Sequence, residues 1–207
     1  MNKVVFITGA SRGIGLATAK RFIKEGWAVV GFYNQTAPSG VEGAAYFQVD
    51  VGSWSSIQAA FTQAFVKVGK INCLVNCAGV FGYKNLTQYD EELMDKVVGV
   101  NEKGTYLCTK WAVGKIKSGS IVNVSSTAAQ VGSSDPVYAG TKAAILGFTK
   151  SMAKALAPQI SQLISLSLLK KVALPQDIAD SIYFLASDQA SHITGACLDI
   201  NGGYVLR

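Results

Sequence analysis

Apolar and polar positions along this chain are grouped in blocks. Val4-Val5-Phe6-Ile7 and Val29-Val30-Gly31-Phe32 are apolar throughout, with many β-branched and aromatic side chains. Short unbroken apolar runs of this kind predict strands buried on both faces, as in parallel sheets. Longer stretches between them repeat their apolar positions every three or four residues and predict amphipathic helices. The pattern gives strands over 3–8, 28–33, 45–49, 71–76, 120–125 and 197–200, and helices over 14–24, 54–68, 91–113, 137–157 and 175–186. Ser53 is placed to cap the second helix, and Pro175 fits the first turn of the last. Strand and helix alternate, so the expected fold is α/β, a doubly wound parallel sheet with helices on both faces. Right-handed crossovers bring the strand C-termini to one edge, where ligands bind in such sheets. Thr8, Asp50, Asn76 and Ser125-Ser126 fall at those ends. No internal repeat, low-complexity tract or linker interrupts the pattern, and residues 1–207 are expected to form a single domain.

The first strand runs into Gly9-Ala10-Ser11-Arg12-Gly13-Ile14-Gly15 and then a helix. Strand, glycine turn and helix start make an anion site, because free N–H groups and the positive end of the helix dipole face a phosphate. Gly9 suits a tight turn, Gly13 a close approach of backbone to pyrophosphate, and Gly15 close helix–strand packing. The glycine spacing differs from the common G-x-G-x-x-G form. Glycines serving backbone geometry alone are the competing reading.

Tyr138 and Lys142 lie four residues apart in a predicted helix, so phenol and ammonium share a face. A free tyrosine titrates near 10, and bringing it to about 7 needs roughly 4 kcal/mol of differential stabilisation. An adjacent cation acts in that direction. One ammonium in water is too weak, whereas an ammonium with a bound cationic cofactor in a dry cleft suffices. The pair suggests acid–base chemistry on an oxygen, against the alternative of two solvated neighbours.

The chain has 207 residues, 49% of them hydrophobic, enough to bury one full core. Its apolar runs fall short of the about 20 residues that span a bilayer. The run Val4 to Ile7 is too short for a signal peptide, and a cytoplasmic location is expected. Cys73, Cys77, Cys108 and Cys197 lack paired C-x-x-C spacing and read as buried free thiols. His192 is the only histidine and reads as a surface-loop residue, so no metal site is expected. The net charge of +6 favours acidic or phosphorylated partners, but Lys and Arg are scattered and no nucleic-acid groove is indicated.

Over nearly its whole length the chain resembles the short-chain dehydrogenase/reductase family. The resemblance rests on Thr8-Gly9-x3-Gly13-x-Gly15, Asp50-Val51, Asn76-Cys77-Ala78-Gly79, Asn101-x2-Gly104, Ser120 to Ser126, Tyr138-x3-Lys142, Ile193-Thr194-Gly195 and Asn201-Gly202-Gly203, in that order. It implies a Rossmann-type fold and an oxidoreductase working between CH–OH and C=O groups. Tyr138 would give a proton to the substrate oxygen in reduction or take it in oxidation. Lys142 would hold the nicotinamide ribose and lower the tyrosine pKa. A serine at the end of the fifth strand would orient the carbonyl, and Asn101 would hold a relay water beside Lys142. Gly9, Ser11, Arg12, Gly13, Ile14 and Gly15 would cradle the dinucleotide. Asp50 and Val51 would meet the adenine, and Asn76, Ala78 and Gly79 would line the adenosine side. The strand 121–124, used as a ruler, selects Ser126, whereas the usual separation from the tyrosine selects Ser125. Ser126 is preferred, because a one-residue slip on a strand turns the hydroxyl to the opposite face.

An acid after the second strand would bind the 2′-hydroxyl of NAD and repel a 2′-phosphate. Here Tyr33-Asn34-Gln35 follows that strand without one, and Arg12 can pair with the phosphate, so NADP(H) is expected over NAD(H). The resemblance is nearest to reductases of 3-oxoacyl groups on acyl carrier protein, in fatty-acid synthesis, and it implies a homotetramer. Other family members acting on a sugar, steroid or small secondary alcohol are the alternative, and a non-catalytic NADP(H) sensor is a third. After Gln159 the family's strand ending in Pro-Gly and its substrate loop are not recognisable, and the pattern resumes near Leu174. The expectation is that several tens of residues are absent near 159–160, the sixth strand among them, with a smaller omission near 114–117.

Overall fold

The structure is a computed structural model that describes residues 2–38, 41–156, 174–200 and the backbone of 162–166. Seven parallel strands form one sheet in the order β3-β2-β1-β4-β5-β6-β7. They are β1 Val4–Thr8, β2 Ala28–Tyr33, β3 Ala44–Gln48, β4 Cys73–Asn76, β5 Ser120–Asn123, β6 Gln162–Leu166 and β7 Cys197–Leu198. The helices are α1 Gly13–Lys24, α2 Trp54–Val68, α3 Glu91–Val98, α4 Gly104–Val113, α5 Ala128–Val131, α6 Pro136–Leu156 and α7 Pro175–Ala186.

The apolar runs split between the two faces as period 2 requires. Val4 and Phe6 join the core under α2 and α4, with Phe32, Phe61 and Trp111. Val5 and Ile7 join the core under α1 and α7, with Phe22, Trp27 and Ile182. Helix α2 starts where Ser53 Oγ accepts the Ser56 N–H at 3.4 Å and ends at Gly69, whose φ of 74° allows its N–H to reach Phe65 O. Pro175 opens α7 as expected.

The predicted helix over 91–113 is broken at its middle by a π-turn, Gly99–Lys103, between α3 and α4. Such a turn re-aims the side chains it carries. The expected absence of the sixth strand is overturned. Gln162–Leu166 pairs in parallel with β5 and with β7, closing the interior of the sheet. The strand escaped notice because it lacks the Pro-Gly ending, although a gap there would have orphaned two rows of backbone groups. The proposed junction at 159–160 lies outside the described residues. No omission is needed at 114–117, where Lys115 and Ile116 N–H both reach Ala112 O and Ser120 N–H reaches Asn72 O.

Candidate active site

The C-terminal ends of β1, β4 and β5 meet at one edge, and a single threonine joins the first two. Thr8 Oγ1 accepts the N–H groups of Cys77 and Ala78, each at 3.1 Å, and donates to Val75 O at 3.5 Å. This draws the glycine turn so close that a Cβ on Gly9 would stand 2.8 Å from Ala78 Cα. A Cβ on Gly15 would stand 2.2 Å from Gly9 O, so the packing role expected of Gly15 holds. Gly13 is different. Its φ of +54° demands glycine while open space surrounds it, which leaves room for a ligand. Arg12, exposed and extended, sits at the N-cap of α1 without a side-chain cap, and the first turn of the helix holds no acid. The uncapped N–H groups of this turn suit a phosphate, and the residues fit a dinucleotide. Ser11 and Ile14 are half-buried in the same turn.

Around the side where an adenine is expected the picture is mixed. Asp50 is exposed at the end of β3, but one carboxylate oxygen accepts the Gly52 N–H at 2.9 Å. Val51 packs under α4, its Cγ2 2.9 Å from where a Cβ on Gly104 would be, which explains the glycine of Asn101-x2-Gly104. The Asn76 side chain is buried in the sheet–helix joint, donating to Asn123 Oδ1 at 2.8 Å and Thr109 Oγ1 at 3.1 Å. It braces the sheet; Ala78 and Gly79 extend beyond it along the strand end. Asn34 is exposed after β2, its carbonyl accepting from Gln48 Nε2.

Tyr138, Lys142, Ser126 and Asn101 converge. The Lys142 ammonium is 5.8 Å from the Tyr138 ring centroid and donates to Val124 O at 3.0 Å. The Ser126 hydroxyl accepts the Ala128 N–H at 3.2 Å and lies near enough to the Tyr138 phenol to lower its pKa, whereas Ser125 is buried and donates to Lys142 O at 2.7 Å. The strand end thus turns Ser125 onto α6 and leaves Ser126 on the side of the phenol. Asn101, on the π-turn, is fully buried and grips Val80 from both sides, accepting its N–H at 2.8 Å and donating to its carbonyl at 2.9 Å. A Cβ on Gly79 would lie 3.5 Å from Asn101 Oδ1 and 3.6 Å from Lys142 Nζ.

Burial raises the Tyr138 phenol above its ordinary value; Ser126 pulls it down, and the charge of Asp135 and the phenol of Tyr83 push it up again. Lys142 is itself perturbed, pushed down to about 8 by burial. In the protein alone the phenol is therefore not made acidic, because desolvation is the largest influence on it. Burial raises the Cys77 thiol to about 11, with Lys142 acting in the opposite direction.

The sequence reading missed Asp135, which is 1% exposed. It caps the start of α6, accepting the Tyr138 N–H at 3.0 Å, and also takes the N–H groups of Gly82 and Tyr83 and the hydroxyl of Tyr89. Asp followed by Pro136 is an N-cap followed by a first-turn proline, a signal available in the sequence. Phe81 was missed too; its ring lies 4.4 Å from that of Tyr138 and 4.6 Å from that of Tyr83. Cys73 and Cys108 are buried as expected, but Cys77 and Cys197 are only half-buried, and His192 is exposed. Among the described residues there is no group of metal ligands, and no helix is long and apolar enough to cross a membrane.

A glycine-lined phosphate turn beside a Tyr/Lys/Ser cluster, on a sheet of this order, defines a nicotinamide-linked oxidoreductase. The sequence profile described as short chain dehydrogenase matches residues 3–166, and the chain belongs to that family of NAD(P)(H)-using enzymes acting on CH–OH and C=O groups. A second profile, described as enoyl-(acyl carrier protein) reductase, matches 157–205. Among curated relatives, the 3-oxoacyl-(acyl-carrier-protein) reductase of Staphylococcus aureus is 30% identical, covering 100% of this chain and 99% of the relative. That alignment runs over 245 positions against 207 residues here, so about 38 positions of the relative have no counterpart. Several tens of residues are therefore missing relative to it, although this chain has a strand of its own between β5 and β7. Among solved structures, the 3-ketoacyl-(acyl-carrier-protein) reductase of Brucella melitensis, complexed with NADH, matches with a TM-score of 0.92 at 32% identity, over 99% of this chain and 98% of that one. The ligand-free aldohexose dehydrogenase of Thermoplasma acidophilum matches with a TM-score of 0.93 at 28% identity, over 100% and 95%.

Proposed function

We propose that the chain is an NADPH-dependent carbonyl reductase acting on 3-oxoacyl groups presented by acyl carrier protein. The observation that carries the chemistry is the convergence of Ser126, Tyr138 and Lys142 at the edge that also holds the glycine turn. Ser126 orients the substrate oxygen. Tyr138 gives it a proton, and Lys142 lies behind the phenol to hold the nicotinamide ribose. The cofactor supplies the hydride and, once oxidised, a positive ring. Burial leaves Tyr138 protonated at neutral pH, as a proton donor in the reducing direction must be. Asn101 holds Val80 beside this cluster and would seat the relay water beside Lys142.

NADP(H) is preferred because Tyr33, Asn34 and Gln35 follow β2 with no acid, and Arg12 stands exposed at the phosphate turn. Asp50 and Val51 border the adenine, and Ala78 and Gly79 the adenosine side. The likeness to the Staphylococcus and Brucella reductases supports a 3-oxoacyl substrate, and the net charge of +6 suits an acidic carrier protein. The family likeness further suggests one domain, a homotetramer and a cytoplasmic setting. The likeness to the aldohexose dehydrogenase favours a second reading, oxidation of a sugar hydroxyl by the same residues.

The test follows NADPH and NADH oxidation with an acetoacetyl thioester, and NADP⁺ reduction with aldohexoses. The expected result is turnover of the thioester with NADPH, and a loss of about 100-fold or more in kcat for Tyr138→Phe. Turnover of aldohexoses alone would replace the substrate assignment. NADPH binding without turnover of any carbonyl would make the protein a sensor.

A further inference from the structure

Asp135 sits where the start of α6 meets the segment 80–89, and its carboxylate accepts hydrogen bonds from both. One oxygen, Oδ2, takes the N–H of Gly82 at 2.9 Å and of Tyr83 at 3.0 Å. The other, Oδ1, takes the Tyr89 hydroxyl at 2.7 Å and the Tyr138 N–H at 3.0 Å. Four donors on one buried carboxylate exceed what a helix cap needs, which is a single acceptor for an early N–H. The two bonds to Gly82 and Tyr83 act on strained backbone. Tyr83 has φ +56°, the one non-glycine residue with positive φ among the described residues, and the residue is 84% exposed. A bulky residue adopts that conformation only where its surroundings impose it. Packing does not, since the residue is mostly in solvent. The paired N–H bonds to Asp135 do.

The strained turn places an aromatic series beside the reacting hydroxyl. Tyr83 packs on Phe81, and Phe81 packs on Tyr138. Gly82 has no room for a side chain, since a Cβ there would stand 2.0 Å from the Tyr89 hydroxyl and 3.0 Å from Asp135 Oδ2. The phenol of Tyr138 is influenced by Ser126 after β5, by Asp135 and by Tyr83, and the Lys142 ammonium on its own helix is 5.8 Å from its ring centroid.

We propose that Asp135 is a positioning residue that locks the Phe81–Tyr83 wall onto Tyr138, fixing both the proton donor and the substrate side of the cleft. The proposal rests on Tyr138 being the proton donor. Its charge has a second consequence, because a carboxylate beside a phenol favours the protonated form. Removing the charge lets the phenol ionise at lower pH.

Asp135→Asn separates these roles from capping, since Asn caps a helix as well as Asp does. Its one amide oxygen cannot serve four donors. Tyr89→Phe removes one donor and leaves the cap and the charge in place. With NADPH and an acetoacetyl thioester, Asp135→Asn is expected to lower kcat/KM about tenfold or more, and Tyr89→Phe less, while NADPH Kd stays within about twofold. The alkaline limb of the reduction profile, where Tyr138 loses the proton it donates, moves to lower pH in Asp135→Asn. Unchanged kcat/KM with an unmoved limb would overturn the proposal. So would parallel losses in NADPH binding and turnover, which mark general destabilisation. Tyr138→Phe is measured alongside: if it keeps full turnover, the reading of Tyr138 as donor fails. The present proposal is then decided without turnover, by the Tyr138 contribution to the near-ultraviolet tyrosinate titration, one of eight tyrosines, isolated as the difference from Tyr138→Phe in each background. That titration moves to lower pH in Asp135→Asn if the proposal holds and stays in place if it does not.

Discussion

Lys142 shows at the residue scale how a proposed functional group burdens the fold that holds it. It is 6% exposed and its ammonium is held by Val124 O, yet burial still pushes it from 10.5 to about 8. At about 1.4 kcal/mol per unit this is a penalty of roughly 3 kcal/mol. Below pH 8 both folded and unfolded chains carry the charge and the penalty is complete. Between about 8 and 10.5 the unfolded chain binds more protons, so stability rises with pH, and above that window the penalty is gone. Lys142→Met is therefore expected to stabilise the protein by about 1–3 kcal/mol near pH 7, the gain fading as pH approaches 10, while turnover is lost. Urea unfolding at several pH values checks this; a variant no more stable than wild type at neutral pH refutes it. The Tyr138-x3-Lys142 pair was legible from spacing alone, because i and i+4 share a helix face. That the phenol is raised rather than lowered was not, since burial depends on every element packed around it.

Among the elements, the π-turn between α3 and α4 is the instructive one. Periodicity read 91–113 as one helix, correct in its ends and blind to the extra residue at its centre. The turn buries Asn101, and the four residues Asn101 to Gly104 are then fixed by two contacts. The Asn101 amide holds Val80, and Gly104 lies against Val51 at the end of β3. Gly104→Ala would drive a methyl to 2.9 Å from Val51 Cγ2 and 3.1 Å from Val51 O. The expected cost is about 1–3 kcal/mol from overpacking, measured by thermal unfolding. A further shift is expected in cofactor affinity, because Val51 belongs to the proposed adenine wall. Adding Val51→Ala should recover part of the stability, and failure to do so would mean that the clash lies elsewhere. The sixth strand gives the opposite lesson. Its sequence lacked a family ending and was passed over, while sheet continuity made a strand there necessary.

Across the whole molecule, stability is concentrated away from the site. Phe6, Phe32, Phe61 and Trp111 pack ring on ring beneath α2 and α4, with Phe32 and Phe61 centroids 4.1 Å apart and Phe61 and Trp111 5.2 Å apart. Phe61 is fully buried, and Phe61→Ala is expected to cost about 3–5 kcal/mol in denaturant unfolding. At temperatures where the variant remains folded its KM should match wild type, since the cluster does not line the cleft; a large rise in KM would contradict that separation. The sequence by itself determined the alternation of buried strands and amphipathic helices, the glycine turn and the Tyr/Lys spacing, because each depends on residues near one another in the chain. The tertiary structure alone decided the hold of Ser125 on the Lys142 carbonyl, the place of β6 and the grip of Asp135 on Tyr83. Those depend on contacts between segments far apart in sequence, where packing and desolvation, rather than local pattern, set the outcome.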